Sequence, residues 1–152
     1  MHIDLQPQLV YQDDFLLIEV DLNVKYIQLE WVSSPSTTQF QESFRTAATI
    51  ALDIKGEYWL SDAKIIPFLE FSAQNWVMRE MAPLLQISPL KKFARLSSKE
   101  SIALLDMHRI YNTLANLQEV SLKTKFESFT TKEAAQEWLF SEYELDHAFS
   151  QD

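Results

Sequence analysis

Hydrophobic and polar positions along the chain change period several times, and each change marks an element. Between Lys25 and Val32, Tyr26, Gln28 and Glu30 alternate with Ile27, Leu29 and Trp31, the two-residue period of a pleated strand with unlike faces. Val10 to Asp13 and Leu16 to Val20 also read as extended, and Asp21, Leu22 and Asn23 supply turn residues before the next run. The domain is therefore expected to open with an antiparallel hairpin or small meander. The period then lengthens. Ser36-Thr37-Thr38-Gln39 has the reciprocal pattern of a capping box, and Phe40, Phe44, Ala47, Ala48 and Ala51 recur at helical spacing. Lys55-Gly56 reads as a basic last turn followed by a left-handed stop. Tyr58-Trp59-Leu60 is a short apolar run suited to a buried strand that closes at Ser61-Asp62, with irregular chain through Pro67.

The alternation continues. Ser72 is placed to cap a second helix whose inward stripe is Ala73, Trp76, Val77, Met81, Leu84 and Leu85, kinked at Pro83 and ended by Ser88-Pro89. Lys92 to Leu96 reads as a strand, and Ser97-Ser98-Lys99-Glu100 as a capping box for a helix along Ala103, Met107, Ile110, Leu114 and Leu117. Val120 to Phe129 is a two-faced strand. Thr130-Thr131-Lys132-Glu133 gives a third capping box, opening a last helix with Ala134, Ala135, Trp138 and Leu139 facing in. Strands separated by helices need crossover connections, which makes them parallel. The pattern predicts an α/β fold: a mixed, mostly parallel sheet of about five or six strands with an N-terminal antiparallel hairpin and four helices.

Composition narrows what such a domain can do. At 152 residues the chain fits one domain over 1–152, with a core at about 10–140 and an acidic C-terminal tail at 141–152. Apolar residues make up 47%, enough for a real core. Thirteen Lys and Arg against 22 Asp and Glu give a net charge of −9, which repels nucleic acid and anionic membrane surfaces. Absence of Cys removes disulfides, thiolate nucleophiles and Cys-based metal sites, and the single glycine, Gly56, leaves no material for a phosphate loop or dinucleotide fingerprint. The N-terminal residues lack the basic and apolar regions of a signal peptide, and no apolar run approaches the roughly 20 residues of a membrane span, so a cytoplasmic protein is expected.

Several short strings carry a resemblance across about residues 10–140: Tyr11-x-Asp13 to Val20, Glu30-Trp31, Phe40 to Phe44, Trp59-Leu60-Ser61-Asp62, Glu80-Met81-Ala82-Pro83, and Thr131 to Trp138-Leu139. Together with the order of elements they are similar to uncharacterised bacterial proteins of the STAS-like, SpoIIAA-like α/β fold. The resemblance implies four helices around a largely parallel sheet and self-association, and no established chemistry. Anti-anti-sigma STAS domains present an Asp-Ser pair whose serine is phosphorylated; here the order is Ser61-Asp62, so that motif is not reproduced.

Among chemical candidates, Asp62 closes a predicted central strand, and in open α/β sheets ligands gather beyond the carboxyl ends of strands. Its structural reading is a turn aspartate bonded to amides of the loop that follows. Trp31 at a strand end and Trp76 beside Arg79 could border a cleft, with Arg79 offering an anion contact; their structural reading is core or dimer packing. His2, His108 and His147 lack a metal-pair spacing, and Lys91, Lys92, Arg95 and Lys99, which flank a strand and a helix start, read either as a dock for an acidic segment or as solvated residues beside the strand. The expectation is a non-catalytic binding or regulatory module of STAS-like type, with no metal or cofactor, forming a homodimer and taking a protein partner or small ligand at Asp62, Trp31, Trp76 and Arg79. Two alternatives stand beside it: a small enzyme using Asp62 as general base in a cleft near Trp31, Trp76 and Arg79, and a lipid-binding module.

Overall fold

A computed structural model describes residues 3–66, 71–98 and 123–143. Its elements run β1 (Gln8–Gln12), β2 (Leu16–Asp21), β3 (Tyr26–Trp31), α1 (Thr37–Asp53), β4 (Tyr58–Asp62), α2 (Phe71–Ile87), β5 (Lys92–Leu96), β6 (Lys125–Phe129) and α3 (Lys132–Leu139). All six strands form one sheet, side by side in chain order. The first three pair antiparallel, and each later strand pairs parallel to the one before it. This is the mixed α/β sheet that the periodicity predicts, with three helices among the described residues. The helix expected along Ala103 to Leu117, His2, His108, His147, Lys99 and most of the acidic tail lie outside them.

Alternation along the strands builds two unlike layers. Ile27, Leu29 and Trp31 of β3, Trp59 of β4, Phe93 of β5 and Phe126 of β6 point to one face, where α1 brings Phe40, Phe44 and Ala47 and α2 brings Trp76, Val77 and Met81. Parallel neighbours joined by right-handed crossovers put successive helices on the same side, which is why α1 and α2 share it. Tyr26, Tyr58, Leu60, Ala94 and Leu96 point the other way and pack on Ala135, Leu139 and Phe140 of the α3 segment. With cover on both faces, β5 is buried at all five positions, as a central parallel strand should be.

Helix ends follow the sequence closely in one case and depart from it in others. At α1, Ser36 Oγ accepts from the Gln39 amide at 3.2 Å and Gln39 Oε1 accepts from the Ser36 amide at 3.1 Å, the capping box as expected. Its other end corrects the expectation: Lys55, not Gly56, is left-handed, with φ 54°. The Gly56 amide donates to Ala51 O and the Lys55 amide to Leu52 O, a Schellman pair that places the strained residue one position before the glycine. Ser72 is not the cap of α2, because that helix already includes Phe71. Pro83 is accommodated within α2, on its exposed side. At α3 the cap is Thr131, whose hydroxyl accepts from the Ala134 amide at 3.2 Å. The residue at the reciprocal position is then Ala134, which has no group to reach back, so only half of the expected capping box forms. Ala134 itself is exposed.

Candidate functional site

The four residues singled out by sequence do not assemble one site. Asp62 shares a face with its register partner Glu30, opposite to Trp31. Its Oδ1 accepts from the Lys64 amide at 3.3 Å and its Oδ2 lies 3.8 Å from Lys64 Nζ, so it does the work of a turn aspartate. Trp31 and Trp76 are both core residues: Trp31 stacks on Phe40 at 5.3 Å, and Trp76 meets Phe44 edge-on at 5.7 Å. Arg79 is exposed on α2. The cation that covers Trp76 is Arg45, 5.2 Å from the ring centre, held there by Glu80 at 2.7 Å.

What the fold brings together instead is a polar row under the α1/α2 layer. Ser61 pairs in register with Arg95, and Arg95 with Ser128, so three polar residues lie side by side on β4, β5 and β6, one step from the carboxyl ends of the strands. Arg95 is only 3% exposed. It borders a cavity of about 40 Å³ whose walls include Trp31, Phe40, Met81, Phe93 and Phe126, with Ser61 beside it. At the usual allowance per buried water, that is room for about three water-sized groups. Ser97, the next residue on the Arg95 face, is 1% exposed, and its hydroxyl has no hydrogen-bond partner among the described residues.

Reading Lys92 and Arg95 as solvated strand flankers is thus overturned: both are buried. A charged residue on a strand ordinarily signals a wet face, and the compensating signal was positional. The periodicity predicts a helical segment on either side of this strand in the chain, which makes it a central parallel strand covered on both faces, and any charge on it has to be buried. Lys92 points to the α3 side. Its ammonium donates to Trp138 O at 2.8 Å and to Ser141 Oγ at 2.9 Å and sits 4.9 Å from the Trp138 ring centre, a cation placed where the C-terminal carbonyls of α3 accumulate negative potential. Lys91, by contrast, is exposed and paired with Glu57 at 3.0 Å.

Two further polar clusters are structural. Burial would raise the Asp13 carboxyl, but donors from the Tyr11 hydroxyl (2.7 Å), the Phe15 and Leu16 amides (2.7 and 2.8 Å) and the Ser43 hydroxyl (3.2 Å) favour its ionised form and together hold its pKa below the usual value. The same carboxylate raises the pKa of the Tyr11 hydroxyl that donates to it. On the other face Tyr26 donates to Gln28 Oε1 at 2.6 Å, and burial pushes its phenol far above the ordinary range.

Among the described residues no group of three or more His, Asp or Glu is placed to hold a metal ion, and no helix is long and apolar enough to cross a membrane. Comparison with family models, curated proteins and solved structures finds no match to this chain. The polar row at Arg95 is accordingly the candidate site on geometry alone. Its position, at the carboxyl ends of parallel strands, is where α/β sheets hold ligands.

Proposed function

We propose that this chain is a non-catalytic binding or regulatory module of STAS-like type whose ligand enters the cavity beside Arg95. The observation that carries the reading is a guanidinium withdrawn from water into a wall of aromatic side chains. Taking a charge out of water costs several kcal/mol, and a hydrophobic residue of similar volume would fill the space at lower cost. Such a residue is favoured where its charge is used. The STAS-like assignment is supported by the antiparallel opening followed by strands in parallel register with intervening helices. Homodimer formation through a sheet edge is supported by β1, the outer strand, which carries no charged residue and exposes Leu9 and Val10. A cytoplasmic location accords with the absence of cysteine. Against the enzyme alternative, Asp62 is engaged in its turn and faces away from the aromatic cavity. Against an acyl-lipid site, a cavity of about 40 Å³ is far smaller than a lipid tail.

The test is amide NMR of the ¹⁵N-labelled protein titrated with a panel of acids, sugars, nucleotides and acyl lipids. Saturable shifts clustered at residues 61–66 and 93–97 are expected for at least one class. Shifts confined to the outer surface, or none at all, would overturn the pocket.

A further inference from the structure

The layer of the molecule away from Arg95 holds a larger opening. Residues 3–6 run beside α3: Ile3 and Leu5 pack on the cluster of Tyr26, Tyr58 and Phe140, and the Gln6 amide donates to the buried Asp21 carboxylate at 2.9 Å, which fixes the segment in place. Between this segment and α3 lies a groove of about 600 Å³, against about 40 Å³ for the cavity at Arg95. Its two walls are unlike. Ile3 and Leu5 make one of them apolar. The other is a stripe running along α3 and onto its C-cap, where Glu133, Gln136, Glu137 and Phe140 follow the i, i+3, i+4, i+7 spacing that gathers side chains on one helix face. Phe140 is buried, while Glu133 and Glu137 are exposed along the rim.

We infer that this groove docks a basic, amphipathic peptide segment of a partner protein, with its apolar side chains on Ile3 and Leu5 and its Lys or Arg side chains on Glu133 and Glu137. Charge complementarity sets the sign of the partner. The two carboxylates stand one helical turn apart, about 5–6 Å between Cβ atoms, where like charges oppose each other and a cation between them relieves both. Neither is ion-paired among the described residues, and no Lys or Arg lines the groove. Lys92, which donates to the Ser141 hydroxyl in the same wall, is buried on the carbonyl end of α3. The chain's net charge of −9 steers a basic partner towards it and turns an acidic one away. The apolar wall makes the second demand, since a plain oligocation would leave Ile3 and Leu5 facing water. An extended segment with alternating residues meets both demands, because its successive side chains point to opposite sides. The exposed rim leaves the groove open for a chain to lie along it. This surface lies on the opposite layer from the Arg95 cavity and does not depend on the reading given to that cavity.

The experiment titrates the full chain with a short capped peptide of alternating Lys and Leu, followed by amide NMR and by binding heats. Saturable shifts at Leu5, Glu133 and Glu137 are expected, with affinity falling as salt is raised. Three other probes, a Glu/Leu peptide, an all-Lys peptide of the same length and n-butylamine, are each expected to bind at least tenfold more weakly. Glu133→Gln with Glu137→Gln should weaken the Lys/Leu peptide at least tenfold. Glu42→Gln with Asp53→Asn, which removes the same charge from exposed positions on α1, should leave its affinity within about twofold. Equal losses in the two double variants would reduce the binding to general attraction and overturn the site. Equal affinity of the all-Lys peptide would overturn the role of the apolar wall, and equal affinity of n-butylamine would overturn a peptide as the occupant. Shifts centred on residues 61–66 and 93–97, or no saturable shifts, would overturn the groove itself.

Discussion

The two sides of β5 hold two buried cations three residues apart, and the fold treats them differently. Lys92 faces α3, where Trp138 O and Ser141 Oγ accept its protons and the Trp138 ring lies over it. Arg95 faces α1 and α2, where a cavity adjoins it and the nearest register partners are serines. Burial of charge is the same on both sides, 5% and 3% exposed. The difference is in the surroundings: Lys92 sits at a helix end, whereas Arg95 also borders a cavity. Unusual burial by itself therefore does not mark a site; room beside the buried group is a further feature that a ligand would need.

Truncations on the two sides give the largest expected effects. Phe44→Ala, on the cavity side, should cost about 3 to 5 kcal/mol, and Leu60→Ala, on the α3 side, about 2 to 5 kcal/mol, both read from denaturant unfolding. Phe44 borders the Arg95 cavity and also a second, smaller one between α1 and α2, so its loss should join them, and small apolar molecules should then raise the melting temperature of that variant alone. A stabilised Leu60→Ala under the same compounds would erase the distinction between the layers.

The cations themselves come next. Lys92→Met should cost about 2 kcal/mol, because it removes charge-assisted hydrogen bonds to α3. Arg95→Met removes the contacts of the guanidinium together with a desolvated charge, two opposing effects, and should cost about 1 to 3 kcal/mol.

Smaller still is the contribution of Asp13, which ties the β1–β2 turn to α1 through Ser43 on the cavity side. Its folded pKa is lower than its unfolded one, so its stabilisation is complete above the ordinary value of 3.8 and is lost as pH falls through the depressed folded value. Asp13→Asn should cost about 1 kcal/mol at neutral pH and flatten the acid limb of the stability curve. Asp62→Asn should be within about 0.5 kcal/mol of the parent, because an amide oxygen can accept from the Lys64 amide and the Lys64 ion pair is solvent-exposed. A drop well beyond that would assign Asp62 a role that its neighbours do not account for.

Elements were more legible in the sequence than the site, for a physical reason. The α1 capping box and its stripe of Phe40, Phe44, Ala47, Ala48 and Ala51 are local patterns, and all five stripe residues are buried. The alternation in β3 likewise put Trp31 and Tyr26 on opposite faces, as the two core clusters do. Local rules failed where a neighbour decides: the left-handed residue moved to Lys55 because the Schellman bonds fix the position relative to Ala51 and Leu52. Gln74, 1% exposed on α2, carries no sequence mark of burial. The Arg95 row is a cross-strand feature. Ser61, Arg95 and Ser128 are separated by more than thirty positions each and become neighbours only through parallel register, which no single segment encodes.

Because every strand pairs with the one made just before it, the sheet can grow in a single direction while the chain is being synthesised, each new strand docking on an edge already waiting. Until β6 emerges, that waiting edge is β5, and it is the strand that carries Lys92 and Arg95. Charges on a temporarily open edge discourage strands of other chains from adding to it. Two charges on β5 therefore disfavour wrong pairing of the half-built sheet for as long as that edge is open, and the reason for them ends when β6 pairs with it.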